Sequence, residues 1–274
     1  MNKEERIISL FSHRLNGDDG AILGDLCLSK DLFIEDVHFK RGWLSSYEIG
    51  TKAALVNLSD AFAMNATPRY ALLGLALPKT MKDDEIKVLC AGIKDTCEAY
   101  DVKIIGGDTT SSDKIVISLS IIAKNRDKIL YRKRAKLGDF VAFSGDLGRS
   151  LKGLKTLQNG GFVAKNSRFK APLLRRDFIY KSARYLSSCM DISDGLLNDL
   201  PKLLKKHQRV RLNRPLSKAE LISGEEYELL FTFSPKHAAA VQNRAKKCRV
   251  KLNIIGKITN AKSNLPRFNG FKHF

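Results

Sequence analysis

Apolar positions recur along the chain in two registers. After the acidic triplet Asp83, Asp84 and Glu85, the residues Ile86, Leu89, Cys90, Ile93, Cys97 and Tyr100 follow the 3.6-residue spacing of an amphipathic helix. Their period places Cys90 and Cys97 on the core-facing side. Ser45-Ser46-Tyr47-Glu48 has the form of a capping box and predicts another helix, running to about Met64. Strand patterns occupy residues 26–34, which alternate weakly, 70–77, an apolar run closed by Pro78, and 102–105 and 115–123, rich in β-branched residues. Further on, residues 140–143 predict a strand and 150–157 a helix. Pro172 suits the first turn of a helix reaching Tyr185. A short strand over 189–192 precedes a helix over 196–206. Strands over 227–233 and 252–258 flank a helix that begins near Pro235. Strands and helices mix in both halves, which predicts an α+β protein of mixed α/β character with two lobes. The basic, polar run 124–136 is the candidate boundary and gives lobes 1–134 and 135–274.

Composition narrows the class. The 274 residues are 43% hydrophobic and 28% charged, the balance of a soluble globular protein. No stretch approaches the roughly 18 apolar residues of a transmembrane helix, and Met1 to Arg6 is charged with no apolar segment behind it, so neither a membrane span nor a secretory leader is expected. The five cysteines (Cys27, Cys90, Cys97, Cys189, Cys248) are odd in number and scattered. That pattern predicts reduced thiols in the cytoplasm, with no zinc site and no disulfide frame. Charge is lopsided. Lys and Arg number 48 against 29 Asp and Glu, a net of +19. Residues 1–134 hold 20 basic and 19 acidic side chains, and residues 135–274 hold 28 and 10. The excess therefore lies in the second half and raises a polyanionic partner as one possibility.

The aspartates fall in unusual company. Asp18 and Asp19 stand between Gly17 and Gly20; Asp31 follows Ser29 and Lys30; Asn57-Leu58-Ser59-Asp60 puts Asn57 and Asp60 on one helix face. Gly106-Gly107-Asp108-Thr109-Thr110 ends a predicted strand, and Asp191-Ile192-Ser193-Asp194-Gly195 ends another and opens a helix. Each motif alone is an ordinary turn or cap. As a set, carboxylates at strand ends are hard oxygen donors suited to Mg²⁺ and to bridging substrate phosphates. Together they predict a multi-Mg²⁺ nucleotide site. No Walker P-loop, no His-Arg-Asp kinase loop and no Gly-x-Ser-x-Gly elbow occurs.

These motifs, with Asn16 to Ala21, Val37-His38-Phe39, Ser223-Gly224-Glu225-Glu226-Tyr227-Glu228-Leu229 and the ending Gly270-Phe271-Lys272-His273-Phe274, occur in the order found in thiamine-monophosphate kinases. The chain resembles that family, part of a superfamily with aminoimidazole ribonucleotide synthetase, selenophosphate synthetase and a hydrogenase-maturation protein. The resemblance implies the two-lobed fold of aminoimidazole ribonucleotide synthetase, with an N-terminal sheet closing into a barrel across a homodimer. It implies conversion of ATP and thiamine phosphate to ADP and thiamine diphosphate with several Mg²⁺. By motif, the metal positions are Asp19, Ser29, Lys30, Asp31, Asp60, Asp108, Asp191 and Asp194. The nucleotide positions are Asp19, Gly107, Asp108, Arg132 and Ser193, and the substrate positions His38, Glu225 and Phe268. No general base is expected, because the attacking phosphate oxygen is already ionised; alignment and charge neutralisation carry such a transfer.

The chain departs from the family at Lys30, where Thr is usual, and in the Glu225 motif, which is one Gly short and leaves Glu225 and Glu226 as alternative substrate contacts. It is also shorter between Arg209 and Ser223. Two other readings compete. A basic nucleic-acid-binding protein would use the charged second half, but no nucleic-acid module is present. Selenophosphate synthetase and the hydrogenase-maturation protein fit less well, for want of a reactive Cys with a glycine-rich N-terminal arm and of a C-terminal Cys tail.

Overall fold

The structure is a computed structural model that describes residues 3–266. A short helix α1 (Lys3–Leu10) precedes strands β1 (Ala21–Leu23) and β2 (Leu26–Ile34). Helix α2 (Ser46–Ala63), strand β3 (Ala66–Leu77), helix α3 (Asp83–Ala99), and strands β4 (Lys103–Ser111) and β5 (Val116–Asn125) follow. The five strands form one sheet in the order β1-β2-β5-β3-β4; β3 and β4 run parallel and the other pairs antiparallel.

Helix α2 begins as its sequence predicts. The Ser45 hydroxyl accepts from the Glu48 N–H, and the Glu48 carboxylate accepts from the Ser45 N–H at 2.9 Å. Nearly the whole helix is buried, because it packs on β2 and β5 while also touching α3 and β7 of the second sheet. Its approach to α3 depends on two glycines. A Cβ on Gly50 would lie 2.1 Å from the Leu89 carbonyl oxygen, and one on Gly92 would lie 2.2 Å from that of Tyr47.

The second sheet is built from β6 (Phe140–Ser144), β7 (Leu186–Asp191), β8 (Arg209–Leu212), β9 (Leu229–Phe233) and β10 (Leu252–Thr259), in the order β7-β9-β6-β10-β8 with antiparallel pairs. Around it lie α4 (Arg149–Gln158), α5 (Arg176–Ser182), α6 (Leu196–Asp199), α7 (Lys218–Ile222) and α8 (Ala238–Lys247). One apolar core runs from Cys27 and Phe33 through α2 and α3 to Phe178, Phe231 and Phe233, and so joins both sheets. A second core, including Val141, Met190, Leu200 and Ile255, involves residues of the second half alone.

Several elements differ from the pattern-based expectation. The helix expected over 196–206 stops at Asp199 and passes into a 3₁₀ turn, Leu200–Leu203, where Pro201 has no N–H to donate. Pro172 lies ahead of α5 rather than in it. Strand β9 starts at Leu229 rather than Tyr227, since Glu225 and Tyr227 have φ of +53° and +52°, outside the extended range. Gly106 to Thr110 does not end a strand; it is the middle of β4, the edge strand, whose nine residues are all exposed. No helix among the described residues is long and apolar enough to cross a membrane.

Candidate active site

Three elements deliver carboxylates to one point. Asp19 comes from the turn before β1, Asp60 from the last turn of α2 and Asp191 from the final residue of β7. One oxygen from each lies within 4.8 Å of the others, the group among the described residues whose acidic, His or Cys donors converge in this way. The helix and strand that carry them also brace them. The Ser59 hydroxyl donates to Asp191 Oδ2 at 2.5 Å, and Asn57 Oδ1 accepts from the Asp31 N–H at 2.9 Å. Asp31 stands beside the group and adds its charge to Asp60 and Asp191.

Burial raises the pKa of Asp19, and raises those of Asp60 and Asp191 well above the ordinary carboxylate value; neighbouring carboxylates push the same way. Arg132 opposes this at one corner. Its Nε donates to Asp19 Oδ1 at 2.8 Å, its Nη2 contacts the same oxygen, and its main-chain N–H donates to Asp18 Oδ1 at 2.7 Å. Burial works against the Arg132 charge, but the carboxylates, Asp19 first, more than offset it and hold the guanidinium protonated. Asp19 Oδ2 and the Ser29 hydroxyl are buried with no hydrogen-bond partner. Clustered hard oxygens with unpartnered buried atoms among them fit a divalent cation such as Mg²⁺.

The pH dependence of stability tests that fit. In the unfolded chain these aspartates ionise near 3.8, whereas the fold holds their protons to higher pH. The folded state therefore binds more protons, and metal-free stability falls as pH rises through that window. A bound divalent ion favours the ionised form and opposes the fall. The melting-temperature difference between Mg²⁺ and EDTA is expected to widen as pH rises above the ordinary carboxylate range. A difference that stays constant with pH would remove the three aspartates from the ligand set.

The remaining predicted residues fall into distinct places. Lys30 needs correction as a metal ligand. Side chains alternate along β2, so Ser29 and Asp31 face α2 while Lys30 projects from the other side of the sheet. There its Nζ donates to Ser118 Oγ at 2.6 Å. Gly107 and Asp108 lie on exposed β4, where Asp108 pairs in register with Gly74 and stands apart from the three-carboxylate group. A side chain at Gly107 is excluded, since its φ is +154° and a Cβ would meet the Leu73 carbonyl oxygen at 1.7 Å. Asp194 is also outside the group. Its Oδ2 accepts from Lys202 Nζ at 2.5 Å, and Lys202 also donates to Asp199 at 2.9 Å. Burial brings the Asp199 carboxyl up to about 7. The Ser193 carbonyl accepts from the Glu225 N–H at 2.7 Å. His38 Nδ1 accepts from the Ile34 N–H at 3.0 Å, and its ring stacks on Phe33 at 5.4 Å. Phe268 lies outside the described residues.

The two candidate glutamates have different surroundings. Glu226 Oε1 accepts from Gly148 N at 2.7 Å, Ser150 N at 3.1 Å and Ser223 Oγ at 2.5 Å, so it closes the start of α4. Glu225 instead faces the first sheet, where its Oε2 accepts from Lys52 Nζ at 3.0 Å. Lys52 was not among the sequence candidates. Its signal was weak but present, as the one charged residue in the stretch 49–59 of an apolar helix. Arg175 and Glu228 were missed too. They form a buried ion pair that also receives the Ser144 hydroxyl at 2.6 Å. Burial pushes the Cys27 thiol up to about 12 and the Cys97 thiol up to about 11, so neither is a nucleophile near neutral pH.

The N-terminal domain model of AIR synthase related proteins matches residues 17–124. The thiamine-monophosphate kinase of Aquifex aeolicus (strain VF5) is 32% identical over 245 residues, covering 79% of this chain and 79% of its own. That of Buchnera aphidicola subsp. Acyrthosiphon pisum (strain APS) is 30% identical, covering 94% and 91%. A solved structure of AaThiL complexed with AMPPCP and TMP superposes with a TM-score of 0.85 at 28% identity, covering 99% of this chain and 96% of that one. The HypE–HypF complex, at a TM-score of 0.79 and 18% identity over 94% and 93%, shares the fold. Identity at this level over most of both chains, on a fold of two five-stranded sheets, places the chain in the thiamine-monophosphate kinase family.

Proposed function

We propose that this chain transfers the terminal phosphoryl group of ATP to the phosphate of thiamine phosphate, giving ADP and thiamine diphosphate. The observation that carries the reading is the meeting of buried Asp19 and Asp191 with half-buried Asp60 beside Arg132, in a family whose relatives are named for this reaction. When bound, Mg²⁺ would neutralise the charge that develops between two anionic reactants.

The residues have separable tasks. Asp19, Asp60 and Asp191 would hold metal, with Asp31 and the Ser29 hydroxyl beside them. Arg132 presents a planar donor fork suited to phosphate oxygens, and its bond to Asp19 keeps that fork in place until an anion arrives. Asp108 and Gly107 serve the nucleotide and its metal, Ser193 the nucleotide, and Asp194 a further Mg²⁺ for which Lys202 is the resident cation. His38, Glu225 and Phe268 serve the thiamine phosphate. No side chain need remove a proton, because the attacking phosphate oxygen is already ionised.

The lobes proposed are 1–134 and 135–274, each carrying one sheet, with the site where α2 and β7 meet. A homodimer belongs to the same reading. Leu32 and Leu72 lie on the sheet face opposite α2 and are 51% and 42% exposed, a face for a twofold mate to cover. The cytoplasm is the proposed compartment, since the five cysteines are free. Purified chain incubated with Mg-ATP and thiamine phosphate is expected to form thiamine diphosphate. No product, with thermal stabilisation by RNA and none by Mg-ATP, would overturn the reading in favour of a nucleic-acid-binding role.

A further inference from the structure

Lys52 is fully buried, yet it is the one charged residue in the stretch 49–59 of helix α2. A buried ammonium is costly unless it is paired, so its surroundings show what it is held for. Its Nζ lies 3.0 Å from Glu225 Oε2, 4.2 Å from the Phe169 ring centroid and 5.7 Å from that of Phe33. Two aromatic faces and one carboxylate thus fix the charge from different elements. Phe33 in turn stacks on His38. The other proposed substrate residue within the described chain therefore touches the same small group.

Glu225 is held in an unusual way. Its backbone sits at φ +53°, a left-handed conformation that costs energy in a residue with a Cβ. The Ser193 carbonyl fixes its N–H at 2.7 Å. Of its two carboxylate oxygens, Oε2 is taken by Lys52, while Oε1 is buried with no hydrogen-bond partner. An unpartnered carboxylate oxygen, held in one orientation, suits a ligand N–H.

We infer that Lys52 is a positioning residue: it clamps Glu225 across the two sheets so that Oε1 is presented to the amino group of the thiamine phosphate pyrimidine. This inference rests on the proposed reaction and adds to it a residue that never touches the substrate. Lys52 would act through one oxygen of Glu225, and the consequence is selective. Loss of Lys52 should weaken capture of the aminopyrimidine substrate and leave nucleotide handling, which belongs to Arg132 and the aspartates, nearly unchanged.

The test is steady-state kinetics on Lys52→Met, Lys52→Arg, Glu225→Gln and the double variant Lys52→Met/Glu225→Gln. Wild type is measured first. If wild type forms no thiamine diphosphate, the proposed reaction fails; if it does, the variants decide the role of Lys52. Lys52→Met is expected to raise KM for thiamine phosphate by about tenfold or more, the scale of one charge-assisted hydrogen bond. KM for ATP should move by less than about threefold. Lys52→Arg should recover most of the loss, because the charge returns to the same carboxylate. The double variant should match Glu225→Gln alone. That comparison also covers the case in which Lys52→Met fails to fold, since the double variant buries no unpaired charge. Parallel changes in both KM values, or a double variant far weaker than Glu225→Gln, would overturn the assignment.

Discussion

Asp60→Asn is expected to lower kcat by roughly a thousandfold while raising the melting temperature of the metal-free protein. The two effects have one cause. Burial disfavours a charge on Asp60, and the crowding by Asp31, Asp191 and Asp19 pushes the same way. Asn keeps the shape and removes the charge, which relieves the metal-free fold. In the proposed reaction the same change would withdraw an anionic ligand from the metal that brings two phosphate-bearing reactants together. Metal assistance is worth several kcal/mol in such reactions, and each ~1.4 kcal/mol is a factor of ten in rate. Product formation under saturating substrates checks the first effect; melting in EDTA and in Mg²⁺ checks the second. Turnover near wild type, or a lower melting temperature in EDTA, would contradict the placement of Asp60 among the ligands.

Glu228→Ala should have the largest effect on stability. Glu228 is 1% exposed and receives both the Arg175 guanidinium and the Ser144 hydroxyl. Removing it leaves Arg175, itself largely buried, without its counter-charge. Breaking a buried pair by deleting one partner costs about 3–5 kcal/mol. For a chain of this size that corresponds to a melting temperature lower by roughly 10 °C. Adding Arg175→Met should restore part of the loss, since the double variant strands no charge. A single variant that melts within about 2 °C of wild type, on the same scale of temperature per kcal/mol, would show that the pair contributes nothing net.

Much of the site could be read before folding because its residues carry local signatures. Asp19, Asp31, Asp60 and Asp191 each sit among Gly, Ser or Asn at the end of an element or on a defined face. The motif placed Lys30 with Ser29 and Asp31, whereas the folded strand sends its side chain to the other face of the sheet. The helix starts of α2 and α3 were legible from their N-terminal residues, whereas α5 begins only at Arg176, past Pro172, and α6 gives way to a 3₁₀ turn at Pro201. Other residues left no local trace. A lysine or arginine in a sequence reads as surface until its partner is known. Lys52 finds Glu225 across 173 residues, and Arg175 finds Glu228 across 53. The choice between Glu225 and Glu226 likewise needed three dimensions: adjacent in sequence, they turn to different lobes, and one of them is committed to closing the start of α4.

Helix α2 also sets a timetable for synthesis. Ser59 bonds to a residue 132 positions later, and Lys52 to one 173 positions later. While the ribosome is still making the second sheet, this helix has no counter-charge for its lysine and no β7 to cover it. Its final burial therefore comes late, after residue 225 has emerged, and the nascent first half carries an uncovered apolar flank until then. A chain cut short after β5 would keep that flank open. Completion of the active site and protection of the helix are thus one event, reached when the last third of the polypeptide arrives.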